Sequence, residues 1–136
     1  MVALLAAVLI SCGGSTGVGS KSKKSLEESF NALHDSFTKS FDAQGDKDSL
    51  KTSADSLVLY FDALVSNYPE SENLSGYYFA VGEVNMKVNR GQDAIKYFDA
   101  LENKYPEDEN VSKALYLKGH TLENILSDTL QAIAAY

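Results

Sequence analysis

From Ser25 onward, apolar residues recur at steps of three and four, which is the period of an amphipathic helix. Ser25 and Glu28 have the spacing of a capping box, so the first helix is predicted to begin with Ser25 as its N-cap. The apolar face of this helix comprises Phe30, Leu33, Phe37 and Phe41. A Gly-Asp pair at 45–46 is expected to end it.

Five more helices follow with the same period. The second is predicted from Asp48 to the residue before Pro69, because proline pushes its predecessor out of the helical region. Asn73 and Asn110 are predicted N-caps of the third and fifth helices. The predicted ranges of the last four helices are 74 to about 88, 92–104, 111 to about 126, and 129 to the last residue. No stretch alternates like a strand, so the pattern predicts an all-α fold of about six helices in three antiparallel hairpins.

One phrase of the sequence occurs twice. YFDALVSNYPE at 60–70 returns as YFDALENKYPE at 97–107, so the copies begin 37 residues apart. Gly82 and Gly119 show the same separation. A glycine inside a helix costs about 1 kcal/mol relative to alanine, which is tolerated where two backbones must approach closely. The repeat therefore predicts hairpins that stack, each covering the apolar face of the next.

The spacing of the repeated residues resembles the tetratricopeptide-repeat family. The positions that carry the resemblance are Gly82, Ala94, Phe98 and Pro106, then Gly119, Ala132 and Tyr136 with one residue inserted. It covers residues 50–136 and implies an α-solenoid, whereas helix 26–44 matches no repeat signature. Gly91 replaces the usual turn aromatic, so a looser turn is expected there. The Tyr-Pro-acid ending resembles the tetratricopeptide lipoproteins of envelope assembly, namely that of the outer-membrane barrel assembly machinery and the Tol-Pal-associated periplasmic protein.

The chain opens with a ten-residue apolar run, MVALLAAVLI. A helix needs roughly 20 apolar residues to cross a bilayer, so this length fits the core of a signal peptide instead. The following Leu9-Ile10-Ser11-Cys12 resembles a bacterial lipobox, which implies that Cys12 is acylated. We expect a signal peptide at 1–11, a lipidated cysteine and flexible tether at 12–24, and a tetratricopeptide-like domain at 25–136. The alternative is a buried N-terminal helix with an inert thiol.

The charge balance limits the partners. With 12 basic and 19 acidic residues the net charge is −7, so phosphate backbones would repel the chain and nucleic-acid binding is not expected. Three lysines at 21, 23 and 24 are expected to rest against anionic headgroups. Gly13 follows the cysteine and no acid lies close behind, which by resemblance to other lipoproteins implies the periplasmic face of the outer membrane.

Little in the sequence points to catalysis. There is one cysteine and there are two histidines, with no metal-ligand spacing beyond His120 and Glu123, three residues apart on one helix face. Two ligands make a poor metal site, and no glycine-rich turn supports a nucleophile. We therefore expect no enzyme, cofactor or metal.

The family resemblance implies a concave groove lined by the first helix of each hairpin, which receives a peptide. The implied groove residues are Phe79, Glu83, Met86, Lys87, Tyr116, His120, Glu123 and Asn124. The expected function is a membrane-anchored scaffold for a protein partner in the bacterial envelope, in outer-membrane protein assembly. The alternatives are a repeat subunit of a Tol-Pal or nutrient-uptake complex, and an accessory domain of a longer cell-wall enzyme. The apolar ending LQAIAAY predicts that the gene continues.

Overall fold

The computed structural model describes residues 17–136, apart from the side chain of Thr129. These residues form six α-helices: α1 (Lys23–Asp42), α2 (Lys47–Asn67), α3 (Leu74–Lys87), α4 (Gly91–Lys104), α5 (Asn110–Asn124) and α6 (Thr129–Ala135). Consecutive helices pack as the hairpins α1–α2, α3–α4 and α5–α6, and the described residues include no strand. The predicted all-α fold of about six helices is confirmed. The predicted signal peptide at 1–11 and the lipidation site Cys12 lie outside the described residues.

The first helix begins earlier than predicted. Ser22, not Ser25, is the N-cap, and its hydroxyl accepts a hydrogen bond from the Ser25 amide at 3.3 Å. Glu28 pairs with Lys24 one turn earlier at 3.8 Å instead of returning to a capping box. Lys23 and Glu27 make the same kind of pair at 4.0 Å, and such pairs support an added helical turn. The helical domain therefore starts at residue 23 rather than 25.

The residues before α1 lie against the first hairpin. The Asn67 side-chain amide donates to the Gly19 carbonyl at 3.4 Å, and the Tyr68 hydroxyl donates to the Lys21 carbonyl at 3.3 Å. The Lys21 ammonium donates to the Tyr60 hydroxyl at 3.3 Å. The flexible tether predicted for 12–24 therefore does not extend over residues 19–24.

The two links between hairpins use different caps from those predicted. Asn73 occupies the N-cap position of α3, but its amide donates to Glu27 Oε1 at 3.1 Å and makes no capping bond. Asn110 is the first residue of α5, and its backbone amide donates to Asp108 Oδ1 at 2.8 Å. The predicted capping by both asparagines is wrong: the Asn73 side chain accepts no hydrogen bond from a backbone amide of α3, and Asn110 lies inside α5, where Asp108 accepts from its backbone amide.

The core runs through all three hairpins. Its largest fully buried side chains include Phe30, Phe37, Phe98, Leu26, Leu57, Leu64 and Leu101. Phe61 of the first repeated phrase meets the ring of Tyr78 edge-on at 4.7 Å and that of Tyr97 at 5.5 Å. Phe61 and Tyr97, one from each copy of the repeated phrase, therefore pack the first hairpin against the second.

Two glycines mark close crossings, as expected. A β-carbon on Gly82 would lie 2.5 Å from Cε1 of Phe98, and one on Gly119 would lie 2.7 Å from Cε1 of Tyr136. Gly91 corrects the expectation of a loose turn. Its position is buried, and a β-carbon there would lie 2.9 Å from Ile125 Cγ2. The link between α5 and α6 fills the space that an aromatic side chain would otherwise take.

Candidate functional site

The four predicted groove residues on α3 are half-buried and engaged within the protein. The ring of Phe79 lies 6.3 Å from that of Phe98, measured between centroids. Glu83 and Lys87 form an ion pair at 3.1 Å, and the Lys87 ammonium lies 5.3 Å from the centroid of the Phe41 ring. Met86 packs against the core. Little of this set is available as a free binding surface.

The four predicted groove residues on α5 are exposed. Tyr116 is 61% exposed, and its ring centroid lies 6.0 Å from that of Tyr136, which is 63% exposed. The Tyr136 hydroxyl donates to Glu123 Oε2 at 3.2 Å, and the Asn124 amide donates to the His120 carbonyl at 3.1 Å. We call Tyr116, His120, Glu123, Asn124 and Tyr136 the α5 face.

The hydroxyl of Tyr136 is protonated near neutral pH, like any phenol with a pKa of about 10. Lost hydration raises the pKa of this phenol above its usual value of 10.0, and the hydrogen bond and the negative charge of Glu123 raise it further. The α5 face therefore offers a phenol donor, a carboxylate acceptor and two aromatic rings near neutral pH. Such groups suit recognition by hydrogen bonding and ring contact.

The eight predicted residues fall into two sets. Phe79 and Tyr116 each stand three residues before a close-crossing glycine, and each packs on the aromatic residue that covers this glycine. Among the described residues, no hydrogen bond, ion pair or ring contact joins the α3 set to the α5 set. Sequence spacing identified equivalent positions correctly, but it did not show that one aromatic is half-buried and the other exposed.

A large groove lies where the turn of the first hairpin faces the turn of the second. Its volume is about 1030 Å³, and its lining includes Phe41, Asp42, Lys47, Leu50, Lys51, Lys87, Val88 and Arg90. We call this the basic groove. Sequence reasoning identified only Lys87 among its cations. The four-residue spacing of Lys47 and Lys51 on one helix was the available signal, but their approach to the α3–α4 turn depends on the tertiary fold.

A smaller groove lies between the two Tyr-Pro links, at the opposite edge. Its volume is about 440 Å³, and its lining includes Pro69, Glu70, Glu72, Ser75, Tyr105, Pro106, Glu107 and Asp108. The Ser75 hydroxyl and the Asn110 backbone amide donate to Asp108 and lower the pKa of this carboxyl below its usual 3.8. Asp108 therefore holds the start of α5 in place, and the ends of the two repeated phrases face each other across this groove.

The described residues contain no group of three His, Cys, Asp or Glu side chains placed to hold a metal ion. Between residues 17 and 136, no helix combines the length and apolar character needed to cross a membrane.

Comparison with known proteins finds no matching family model, no matching curated protein and no matching solved structure.

Proposed function

We propose that this protein is a non-enzymatic scaffold of the bacterial envelope that binds a protein partner through the α5 face. The observation that carries the proposal is the pair Tyr116 and Tyr136, two large aromatic side chains more than half exposed and in contact with each other. Tyrosine is enriched at the centres of protein interfaces, where its ring buries apolar area and its hydroxyl makes a hydrogen bond.

The surroundings of the tyrosine pair support a protein ligand. His120, Glu123 and Asn124 are exposed on the same helix, so polar groups border the two rings. A central aromatic contact with a polar rim is the usual arrangement of a protein interface. Tyrosine also loses little conformational entropy on binding, because it has only two side-chain torsions.

The repeat geometry supports placing the chain among tetratricopeptide-like solenoids. The glycine–aromatic crossing occurs twice, as Gly82 with Phe98 at the spacing that the family resemblance implies, and as Gly119 with Tyr136 with one residue inserted. Stacked helical hairpins present extended surfaces for binding, and each hairpin can vary its exposed residues without losing its core. This is the physical basis for assigning a binding role rather than a reaction.

The proposal includes a lipid anchor at Cys12, on the periplasmic face of the outer membrane. Its support is the lipobox-like Leu9-Ile10-Ser11-Cys12 after the apolar run. In bacteria expressing the full chain, Cys12→Ser should abolish labelling with a radioactive fatty acid and release the protein from membrane fractions. Ser11→Ala keeps a small residue before the cysteine, so the fatty-acid labelling and the membrane association of this variant should equal those of the wild type. Continued membrane association of the Cys12→Ser variant would rule out this means of attachment.

Photo-crosslinking tests the α5 face directly. With p-benzoylphenylalanine in place of Tyr116 in the full chain, irradiation of intact cells should yield one reproducible adduct with another protein. Leu59 on α2 is also exposed, at 53%, and is the matched control position. An identical set of adducts at both positions would contradict specific binding by the α5 face. The identity of the crosslinked protein would distinguish barrel assembly, Tol-Pal, nutrient uptake and cell-wall hydrolysis.

A further inference from the structure

We infer that the basic groove is a docking site for an acidic peptide segment that also carries an apolar side chain, supplied by a partner protein. This site is separate from the α5 face. It rests on the premise of the proposed function that the chain binds protein, and its orientation also uses the proposed anchor at Cys12. Three features of the groove support this inference. The groove is open, whereas the corresponding boundary between the second and third hairpins, here called a seam, is closed. The walls of the groove are cationic, and its floor is apolar.

The seam between the first two hairpins is closed at one end only. At that end, the rings of Phe30 and Tyr77 lie 4.6 Å apart, and Asn73 donates to Glu27 at 3.1 Å. At the other end lies the basic groove, with its volume of about 1030 Å³. The corresponding seam between the second and third hairpins is filled, since Ile125 and Leu126 press on Gly91. This volume is at the upper end of the range found for ligand-binding pockets, so the groove can receive several side chains.

The charge of the groove is opposite to that of the chain. Its lining has four cationic side chains and one carboxylate, Asp42, in a chain whose net charge is −7. Lys47 and Lys51 are exposed and form no ion pair with any described residue. An anionic segment would therefore meet two free ammonium groups at the start of α2. This charge complementarity favours an acidic ligand.

The other two cations have partners that an incoming carboxylate can share. Arg90 donates to Asp55 at 2.6 Å, and Lys87 pairs with Glu83 at 3.1 Å. The side chain of Asp55 is 62% exposed and that of Glu83 is 29% exposed. The Arg90–Asp55 pair is weak because water screens the exposed Asp55, so it does not neutralise the groove permanently, whereas the Lys87–Glu83 pair is less exposed.

The apolar floor limits the ligand further. Phe41, Leu50 and Val88 line the groove between the cations, and the Lys87 ammonium lies over the Phe41 ring. A ligand with charge alone would leave this floor in contact with water. A peptide that combines carboxylates with a leucine or phenylalanine would cover the floor and engage the cations together.

The position of the groove favours a peptide over the headgroups of the membrane. The groove lies at the C-terminal end of α1, which has 20 residues and is about 30 Å long. If the chain is anchored at Cys12, as proposed above, the membrane adjoins the other end of this helix. The groove then opens toward partners away from that membrane.

A nuclear magnetic resonance titration tests the site. The full ¹⁵N-labelled chain, in a zwitterionic detergent, is titrated with an acetylated peptide of about eight residues made of Glu, Asp, Leu and Phe. We expect shifts at Gly45, Lys51, Val88 and Asn89. The double variant Lys47→Gln/Lys51→Gln should weaken binding roughly fivefold. Lys96→Gln/Lys113→Gln changes the net charge equally at exposed positions outside the groove and should bind like wild type.

Four outcomes would overturn the inference. The first is that a peptide with Gln and Asn in place of Glu and Asp binds equally well. The second is that peptide binding is weakened equally in both double variants. The third is a preference for phosphatidylglycerol over phosphatidylcholine vesicles that depends on Lys47 and Lys51, without peptide binding, which would assign the groove to lipid headgroups. The fourth is concentration-dependent shifts at the groove without peptide, which would assign it to a second copy of the chain.

The crosslinking experiment separates this inference from the proposed function. An adduct at position 116 that persists while the peptide fails to bind would overturn the groove site alone. Peptide binding at the groove with no specific adduct at position 116 would overturn the α5 face alone.

Discussion

The ring of Phe98 lies so close to Gly82 that a β-carbon there would be 2.5 Å from its Cε1 atom. In the same way, a β-carbon on Gly119 would lie 2.7 Å from Cε1 of Tyr136. The two crossings differ in burial, because Phe98 is 1% exposed and Tyr136 is 63% exposed. Phe98 cannot move without disturbing the core, whereas Tyr136 lies at the surface, where its hydroxyl donates to Glu123.

Gly82→Ala should therefore destabilise the protein. Overpacking a core typically costs about 1–3 kcal/mol, which outweighs the gain of about 1 kcal/mol from replacing glycine with alanine in a helix. Gly76→Ala is the matched control in α3, because nothing lies within 4 Å of a β-carbon at that position. Urea unfolding should show a loss of stability for the first variant and a gain of up to about 1 kcal/mol for the second. Equal changes in unfolding free energy for Gly82→Ala and Gly76→Ala would contradict the close crossing at Gly82.

Phe30→Ala should cost about 3–5 kcal/mol of unfolding free energy, because a fully buried aromatic leaves a cavity when removed. Phe41→Ala in the same helix should cost less, since Phe41 is only half-buried at the edge of the basic groove. Denaturant unfolding of both variants would measure the difference. Similar small losses of unfolding free energy in both variants would show that α1 lies outside the cooperative core.

Lys118 joins α5 to α4, with its ammonium 2.5 Å from Asp99 Oδ1 and 3.9 Å from Glu102 Oε2. Lys118→Gln should cost about 0.2–1 kcal/mol at low salt, because the ion pairs are partly exposed. The cost should shrink as added salt screens the charges. Lys113→Gln, which removes a lysine without an ion pair to any described residue, controls for net charge. A loss that does not depend on salt would point to packing of the lysine stem instead.

Asp108→Asn should reduce stability near neutral pH and have less effect in acid. The pKa of Asp108 is lowered by the Ser75 hydroxyl and the Asn110 amide, so the folded state favours the carboxylate. Its contribution is complete above the unfolded pKa and is lost as the pH falls through the lower folded pKa. Thermal unfolding from about pH 7 to about pH 3 should show the difference between wild type and variant decreasing below about pH 4.

Glu107→Gln removes the same charge from the adjacent position and controls for net charge. A difference between wild type and Asp108→Asn that stays constant over the whole pH range would mean that the carboxylate does not act as a cap.

The sequence predicted the six helices and the close crossings because both depend on spacing along the chain. It failed at helix N-termini, where the side chains form other hydrogen bonds than the predicted caps. The Ser22 cap replaced Ser25, and the Asn73 amide bonded Glu27, a residue 46 positions away. The apolar face of α1 was predicted but its partner was not, since Phe30 packs on Tyr77 of another hairpin.

The candidate sites were predictable to a smaller extent. Equivalent positions on α3 and α5 followed from the repeat, but their exposure depends on what covers them. Phe79 lies against the buried Phe98, and Tyr116 lies beside the exposed Tyr136. The basic groove draws on three separate segments, and no local pattern indicates that Lys47, Lys87 and Arg90 meet.

The unequal seams determine how the molecule would carry a mechanical load. A pull on the N-terminal end of α1 would reach the second hairpin through Glu27–Asn73 and Phe30–Tyr77, the contacts nearest the applied force. These contacts would bear the load before those of Phe61 with Tyr78 and Tyr97, whereas Ile125 and Leu126 fill the boundary at Gly91. In single-molecule pulling from this end, the first hairpin should detach at lower force than the other two. A partner held by the α5 face would then stay attached to an intact pair of hairpins while the first one extends.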